Sequence, residues 1–200
     1  MNPLKTIQRT ALVALVSFSL VACGGLLTSD APPKQVFWLM PVDTGASADT
    51  NGQTLAITIT AAPGLDTDRW LALEPTQELR AYSSAYWPDN APDFLESILR
   101  QTFARTGQWD AVHLAEHAYK ASVRLDLVLE EHFVVLVSRE VRTRVSGQIT
   151  CGETSLAIGK SLSMPVATDS LSDIAEVHQQ LSDRLGVALV EAVSRECLAL

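Results

Sequence analysis

The chain has 200 residues, of which 47% are hydrophobic and 19% charged, and its formal net charge is −8. That apolar content excludes a disordered chain, and an acidic balance without a basic run excludes a nucleic-acid-binding face. The length suits one ordinary core rather than two.

Lys5 and Arg9 precede an apolar stretch from Ala11 to Ala22 that only Ser17 and Ser19 interrupt. This is the pattern of a secretion signal. Twelve residues rise only ~18 Å, too short for a bilayer core of ~30 Å. The stretch ends in Leu20-Val21-Ala22-Cys23, which resembles a bacterial lipobox, where the cysteine thiol takes a diacylglyceryl group as a thioether. Ordinary cleavage fits less well, because Leu20 fills a place where an A-x-A-like site wants a small residue. The expected organisation is a signal peptide at 1–22, a tether at 23–34 lipidated on Cys23, and a folded domain at 35–200. Gly24-Gly25 and Pro32-Pro33 give the tether its character. Loss of Lys5 and Arg9 would take the net charge from −8 to −10, so acyl chains, at ~0.8 kcal/mol per buried CH₂, would hold such a protein on a membrane. Gly24, in place of Asp, leans the address towards the outer membrane.

Gln35 to Met40 reads as a short aromatic-apolar strand stopped by Pro41. Asn51-Gly52 marks a turn in a polar loop. In Thr54 to Thr60, Leu55, Ile57 and Ile59 alternate with threonines, as in a half-buried strand. Pro63-Gly64 breaks it, and Trp70–Leu73 and Glu78–Tyr82 form two further strands around Pro75. A helix follows, with Asp89 or Asn90 as cap, Pro92 in its first turn, and Gly107 as its stop. Its apolar stripe is Phe94, Leu95, Ile98, Leu99, Thr102 and Phe103. Strands are expected over Trp109–Leu114, Ser122–Leu129, Phe133–Ile149 (as one or two) and Gly159–Met164, with Gly147 and Gly152 at turns or bulges. A second helix spans about Ser170 to Cys197, opened by Ser170 and Asp173 in the manner of a capping box. Gly186 interrupts that helix, and close packing against a strand would explain it. The fold class expected is α/β: a single-domain layered sandwich, with a mixed sheet of five or more strands packed on two main helices.

Chemistry-bearing patterns are few. No G-x-S-x-G, P-loop or G-x-G-x-x-G occurs. His113-Leu114-Ala115-Glu116-His117 matches H-x-x-E-H, which on a helix would let His113 and His117 bind zinc with Glu116 as general base. Its flanks read as strand, so a solvated turn is the simpler expectation. His132 and His178 stand alone, with His178 at the rim of the second helix's apolar stripe. Cys151 and Cys197 form an even pair that an oxidising compartment would allow to bond, against the competing reading of two buried thiols. They lack metal-ligand spacing, and neither a cofactor nor a catalytic residue is expected. Tyr82, Tyr86 and Trp87 cluster ahead of the first helix. They suit either a contact surface for a partner or lipid, or the closing of one end of the core.

Several of these residues together resemble the ABC-type transport auxiliary lipoproteins, the PqiC-like family. The likeness starts at the lipobox and Val36-Phe37-Trp38-Leu39, and continues in Pro63-Gly64-Leu65-Asp66-Thr67-Asp68-Arg69, close to P-G-L-x-T-x-R. It is densest over Glu78-Leu79-Arg80-Ala81-Tyr82, Ala85-Tyr86-Trp87, and Pro92 through Phe103. Glu131 to Lys160 matches least, which leaves strand pairing there open. The resemblance implies a non-enzymatic, periplasm-facing lipoprotein of the outer membrane. Such proteins accompany an MCE-family periplasmic protein with its ABC permease and ATPase, in phospholipid transport. Some relatives are oligomeric, which leaves a homo-oligomer open. A lipid-binding carrier is the runner-up, and a zinc hydrolase is the remote third reading.

Overall fold

The computed structural model describes residues 32–45, 50, 52–113 and 115–197. The expected signal sequence, Cys23 and most of the tether lie outside them. Within Lys34–Leu200 the secondary structure runs β1 (Gln35–Val36), β2 (Thr54–Ala61), β3 (Arg69–Leu73), β4 (Leu79–Tyr86), α1 (Ala91–Arg105), β5 (Ala111–His113), a short 3-10 helix (Ala115–Lys120), β6 (Val123–Val135), β7 (Glu140–Cys151), β8 (Thr154–Pro165) and α2 (Leu171–Cys197). This is the α/β class, a single domain with one mixed eight-stranded sheet packed against two helices.

The long strand β6 organises the sheet. One edge of β6 pairs antiparallel with β7 along its length, and β8 adds to β7 in turn. The other edge is shared. Val123–Leu129 pairs parallel with β2, whereas Val134 and Val135 pair parallel with Ala72 and Leu73 of β3. β5 extends the β2 end, and β4 then β1 extend the β3 end. The changeover coincides with a register shift between Leu129 and Glu131. One extra residue there reverses which face every later side chain meets.

Both helices cover the same face. α1 presents the expected stripe: Phe94, Leu95, Ile98, Leu99, Thr102 and Phe103 are all buried over β2 and β5. Asn90 occupies the N-cap without a side-chain bond, and Asp89 Oδ1 accepts from Asn90 N (2.8 Å). Gly107 takes φ +67°, the left-handed conformation that ends a helix cheaply only at glycine. α2 lies on β6, β7 and β8, burying Ile174, Val177, Leu181, Leu185, Leu189 and Val193. A bond between Cys151 and Cys197, with Cα atoms 5.5 Å apart, joins the end of β7 to the last turn of α2.

Several expectations need correction. β6 does not end at Leu129 but runs on through the bulge to Val135, and β8 starts five residues before Gly159. Trp109 is buried ahead of a β5 that is only three residues long. Gly147 is no turn. It sits in mid-strand opposite Leu127, where a Cβ would run into the Asp126 backbone carbonyl. Gly152, at φ +58°, is the turn between β7 and β8. Gly186 packs not on a strand but against α1 and the N-terminal segment. A Cβ there would lie 3.2 Å from Val42 Cγ1 and 3.3 Å from Thr102 Cγ2.

Candidate functional site

Beyond the bulge, the core changes character. The shift of one residue turns His132 inwards in register with Thr143, where alternation from Leu125, Leu127 and Leu129 would have sent it outwards. Trp70 reaches this region from β3, Trp87 from the end of β4, and His178 from α2. The rings are in mutual contact. Centroids are 4.9 Å apart for Trp70–Trp87, 5.2 Å for both Trp70–His178 and Trp87–His132, and 4.8 Å for His132–His178. Phe37 packs tilted against Trp70, with centroids 4.4 Å apart. His178 is therefore a core residue, not a rim residue, and His132 does not stand alone.

The imidazoles are held neutral. Burial lowers the His132 pKa to about 4. Burial, and then the neighbouring His132, drive that of His178 well below its usual value. His132 Nδ1 lies 3.2 Å from Thr143 Oγ1. His178 Nδ1, Trp70 Nε1 and Ser182 Oγ find no hydrogen-bond partner among the described residues. The rings pack against one another at the end of the core. Sequence parity missed it, because only the bulge makes His132 an inward position.

The expected contact residues are divided by the structure. Trp87 is buried within this cluster, whereas Tyr82 and Tyr86 are half-buried at its outer side. Tyr86 lies between elements through two cations: Lys34 Nζ is 4.6 Å and Arg69 Cζ 5.5 Å from its centroid. Arg69 Nη2 also donates to Tyr82 O (2.9 Å). Tyr82 packs edge-on to Trp70, and its hydroxyl pKa is raised, first by burial and then by Asp169 and Glu74. Two clefts, of about 340 and 300 Å³, share Tyr82 and Leu136. The first continues along Ala72, Ala81 and Arg80, the second along Val134, Val166 and Ile174. Arg139 and Asp169 line the second and pair at 3.1 Å.

The H-x-x-E-H residues lack the shared helical face that a zinc site of that pattern needs. His113 ends β5, His117 lies in the 3-10 helix and stacks towards Tyr119, and the Glu116 side chain lies outside the described residues. Among the described residues no group of three His, Cys, Asp or Glu is placed to hold a metal ion. No described helix is long and apolar enough to cross a membrane.

A two-layer α/β sandwich with both helices on one face defines the class of fold, and solved structures share it. A crystal structure of a Xanthomonas campestris protein of the family DUF330 superposes with a TM-score of 0.67 and 16% identity, over 78% of this chain and 92% of that one. A second, of an uncharacterized protein, gives a TM-score of 0.65 and 10% identity, over 82% of this chain and all of the other. No family model matches the sequence, and no curated protein matches it.

Proposed function

We propose that this chain is a lipid-anchored, non-enzymatic auxiliary component of an MCE-type ABC lipid transport system. Through lipidated Cys23 it is held on the outer membrane, facing the periplasm. There it docks or holds the MCE component and supports phospholipid movement and envelope integrity. The observation that carries the reading is the likeness of most of the chain to a DUF330 structure, the family that includes PqiC-like lipoproteins. It coincides with the family-like motifs of the sequence, which fall at connected places in the fold. Pro63–Arg69 leads into β3, Glu78–Trp87 forms β4 and its exit, and Pro92–Phe103 lies in α1 and supplies most of its buried face. Tyr82 and Tyr86, partly exposed beside the clefts, are the proposed contact residues, because aromatic groups with one wet end suit an interface.

Crosslinking in membranes, followed by recovery of the tagged chain, tests this reading. An MCE protein and its permease–ATPase should be captured, and Tyr86→Ala should reduce the yield. Repeated absence of an MCE protein would defeat the docking role. The two clefts around Tyr82 favour a second reading, a carrier that itself binds one lipid, since each reaches the lower end of ligand-pocket size at about 300 Å³. Native mass spectrometry separates the two: phospholipid that co-purifies with the chain, and is lost in Tyr82→Ala, supports the carrier.

A further inference from the structure

The N-terminal segment of the folded body is a strap pinned across the helices. Phe37 N donates to Tyr86 O (2.9 Å). Gln179 grips Met40 at both backbone atoms: its Oε1 accepts from Met40 N (2.7 Å) and its Nε2 donates to Met40 O (2.8 Å). Arg105 Nη1 donates to Pro41 O (2.7 Å). Leu39 and Pro41 are buried beneath. With the backbone fixed, the period-two alternation of an extended chain sends Val36, Trp38 and Met40 to the opposite side. They are 61%, 64% and 59% exposed. An isolated exposed apolar residue needs no explanation, but three in successive outward positions on a held segment form a patch.

We propose that the row Val36, Trp38 and Met40 lies in the headgroup region of the bilayer that carries the lipid anchor, so that the body rests on the membrane along this strap. The proposal rests on the reading of Cys23 as lipidated. Three observations select a bilayer over other occupants. Val36 lies thirteen residues after Cys23, and thirteen residues span at most ~45 Å, so the row stays within reach of the bilayer that holds the anchor. The leash joins the body at Lys34, two residues before the row, so the row begins where the anchored segment enters the fold. Tryptophan between apolar neighbours is the composition favoured at the membrane–water boundary.

The charges around the row decide which lipid it meets. Trp38 rests edge-on against Phe94 at 5.7 Å, and Phe94 adjoins Asp93. The Asp93 carboxyl has a raised pKa, first from burial and then from the negative charges of Asp89 and Asp66. Of the cations beside the row, Lys34 is engaged over Tyr86 and Arg105 with the Pro41 carbonyl. The row itself is apolar and indole-led. The two cations beside it are already engaged within the protein, so the contact is expected not to depend on anionic headgroups.

Fluorescence tests this directly, because of the four tryptophans only Trp38 is exposed. Trp70, Trp87 and Trp109 are 1%, 3% and 6% exposed. The full lipidated chain is reconstituted in phosphatidylcholine vesicles containing a brominated phosphatidylcholine, with and without phosphatidylglycerol. The mass of its N-terminal peptide establishes the lipid on Cys23. Bromolipid should quench part of the emission equally in both vesicles, and Trp38→Phe should abolish that quenching. A lipidated chain whose Trp38 stays open to acrylamide and untouched by bromolipid overturns the inference but leaves the proposed function standing. Shielding from acrylamide that depends on protein density, without bromolipid quenching, assigns the row to a second copy and also overturns it. An unmodified Cys23 defeats the anchor, and this inference with it.

Discussion

The two ends of β6 support the same sheet by different means. From Val123 to Leu129 the strand alternates, and every inward residue is aliphatic and buried under α1 and α2. From His132 to Val135, past the bulge, the core holds two tryptophans and two imidazoles, and three buried polar atoms lack partners among the described residues. The first end is stabilised by apolar area, at roughly 25 cal/mol per Å² whatever the pH. The second also requires that two titratable rings stay neutral. One inserted residue separates an end indifferent to acid from one that acid attacks.

Removing bulk from the aliphatic end should have the largest effect. Phe103 is fully buried on α1, and Phe103→Ala should cost about 3–5 kcal/mol in urea unfolding. The loss should be the same at pH 5 and pH 8. A pH-dependent loss would mean that the two ends are not separable in this way. Reduction of the Cys151–Cys197 bond acts on the same end, since it frees the tip of β7 beside Val123. For a sequence separation of 46 residues, the chain-entropy model puts the loss at about 4 kcal/mol at most. The urea midpoint with and without reductant measures it.

Acid should find the other end. The folded-state pKa of His132 is lowered to about 4 from 6.5, so the unfolded chain binds the proton first. Stability is then full above pH 6.5 and falls as the pH drops from 6.5 towards 4, by about 3 kcal/mol for His132 alone. His178, lowered in the same direction, steepens the slope. Urea midpoints from pH 8 to 4.5 should fall in the native chain. In His178→Phe they should fall less steeply, with the ring volume roughly kept. An unchanged slope would show that the imidazoles do not carry the acid sensitivity.

These differences track what could be read from the residues. β2, α1 and α2 follow one period throughout, and the stripe from Phe94 to Phe103 lands where its spacing puts it. At the other end the alternating pattern breaks at Glu130-Glu131, which leaves no local signal that His132 and Val134 resume on the inner face. The pairing of His132 with His178 joins residues 46 positions apart through a sheet bulge and a helix, and no short motif encodes that. Trp38 and Leu39 look equally apolar in the sequence. Only the backbone bonds at Phe37, Met40 and Pro41 decide which one is buried.

Gly147, opposite Leu127, tests the separation of the ends from within the aliphatic one. Its Cα–H faces the β6 backbone at Asp126 and Leu127. Gly147→Ala cannot be relieved by a side-chain rotation, because the obstacle is main chain, so β6 and β7 must part locally. A cost of about 1–3 kcal/mol is expected, as for overpacked cores. Hydrogen exchange should speed up at Leu127 and Ile149 and remain slow at Val134. Equal loss of protection along all of β6 would mean that the bulge does not decouple its two ends.

The smallest effect concerns the start of α2, the helix that brings His178 into the cluster. Ser170 Oγ accepts from Asp173 N (3.2 Å), which is half of a capping box. The other half is rerouted. The Asp173 carboxylate accepts from Thr168 Oγ1 (2.6 Å), and Thr168 Oγ1 in turn accepts from Ser170 N (3.2 Å). A hydroxyl thus relays what a Glu at the third helical position would reach directly, because Asp is one methylene too short. Ser170→Ala should cost about 1 kcal/mol. Thr168→Val should cost no more, and the double variant should lose less than the sum, since both changes break one connected set of bonds. Thr168 and Asp169 line the second Tyr82 cleft, so fraying here should loosen its rim and leave the acid slope set by His132 and His178 unchanged. A flattened slope in Ser170→Ala would instead place the first turn of α2 in the same cooperative unit as the buried rings.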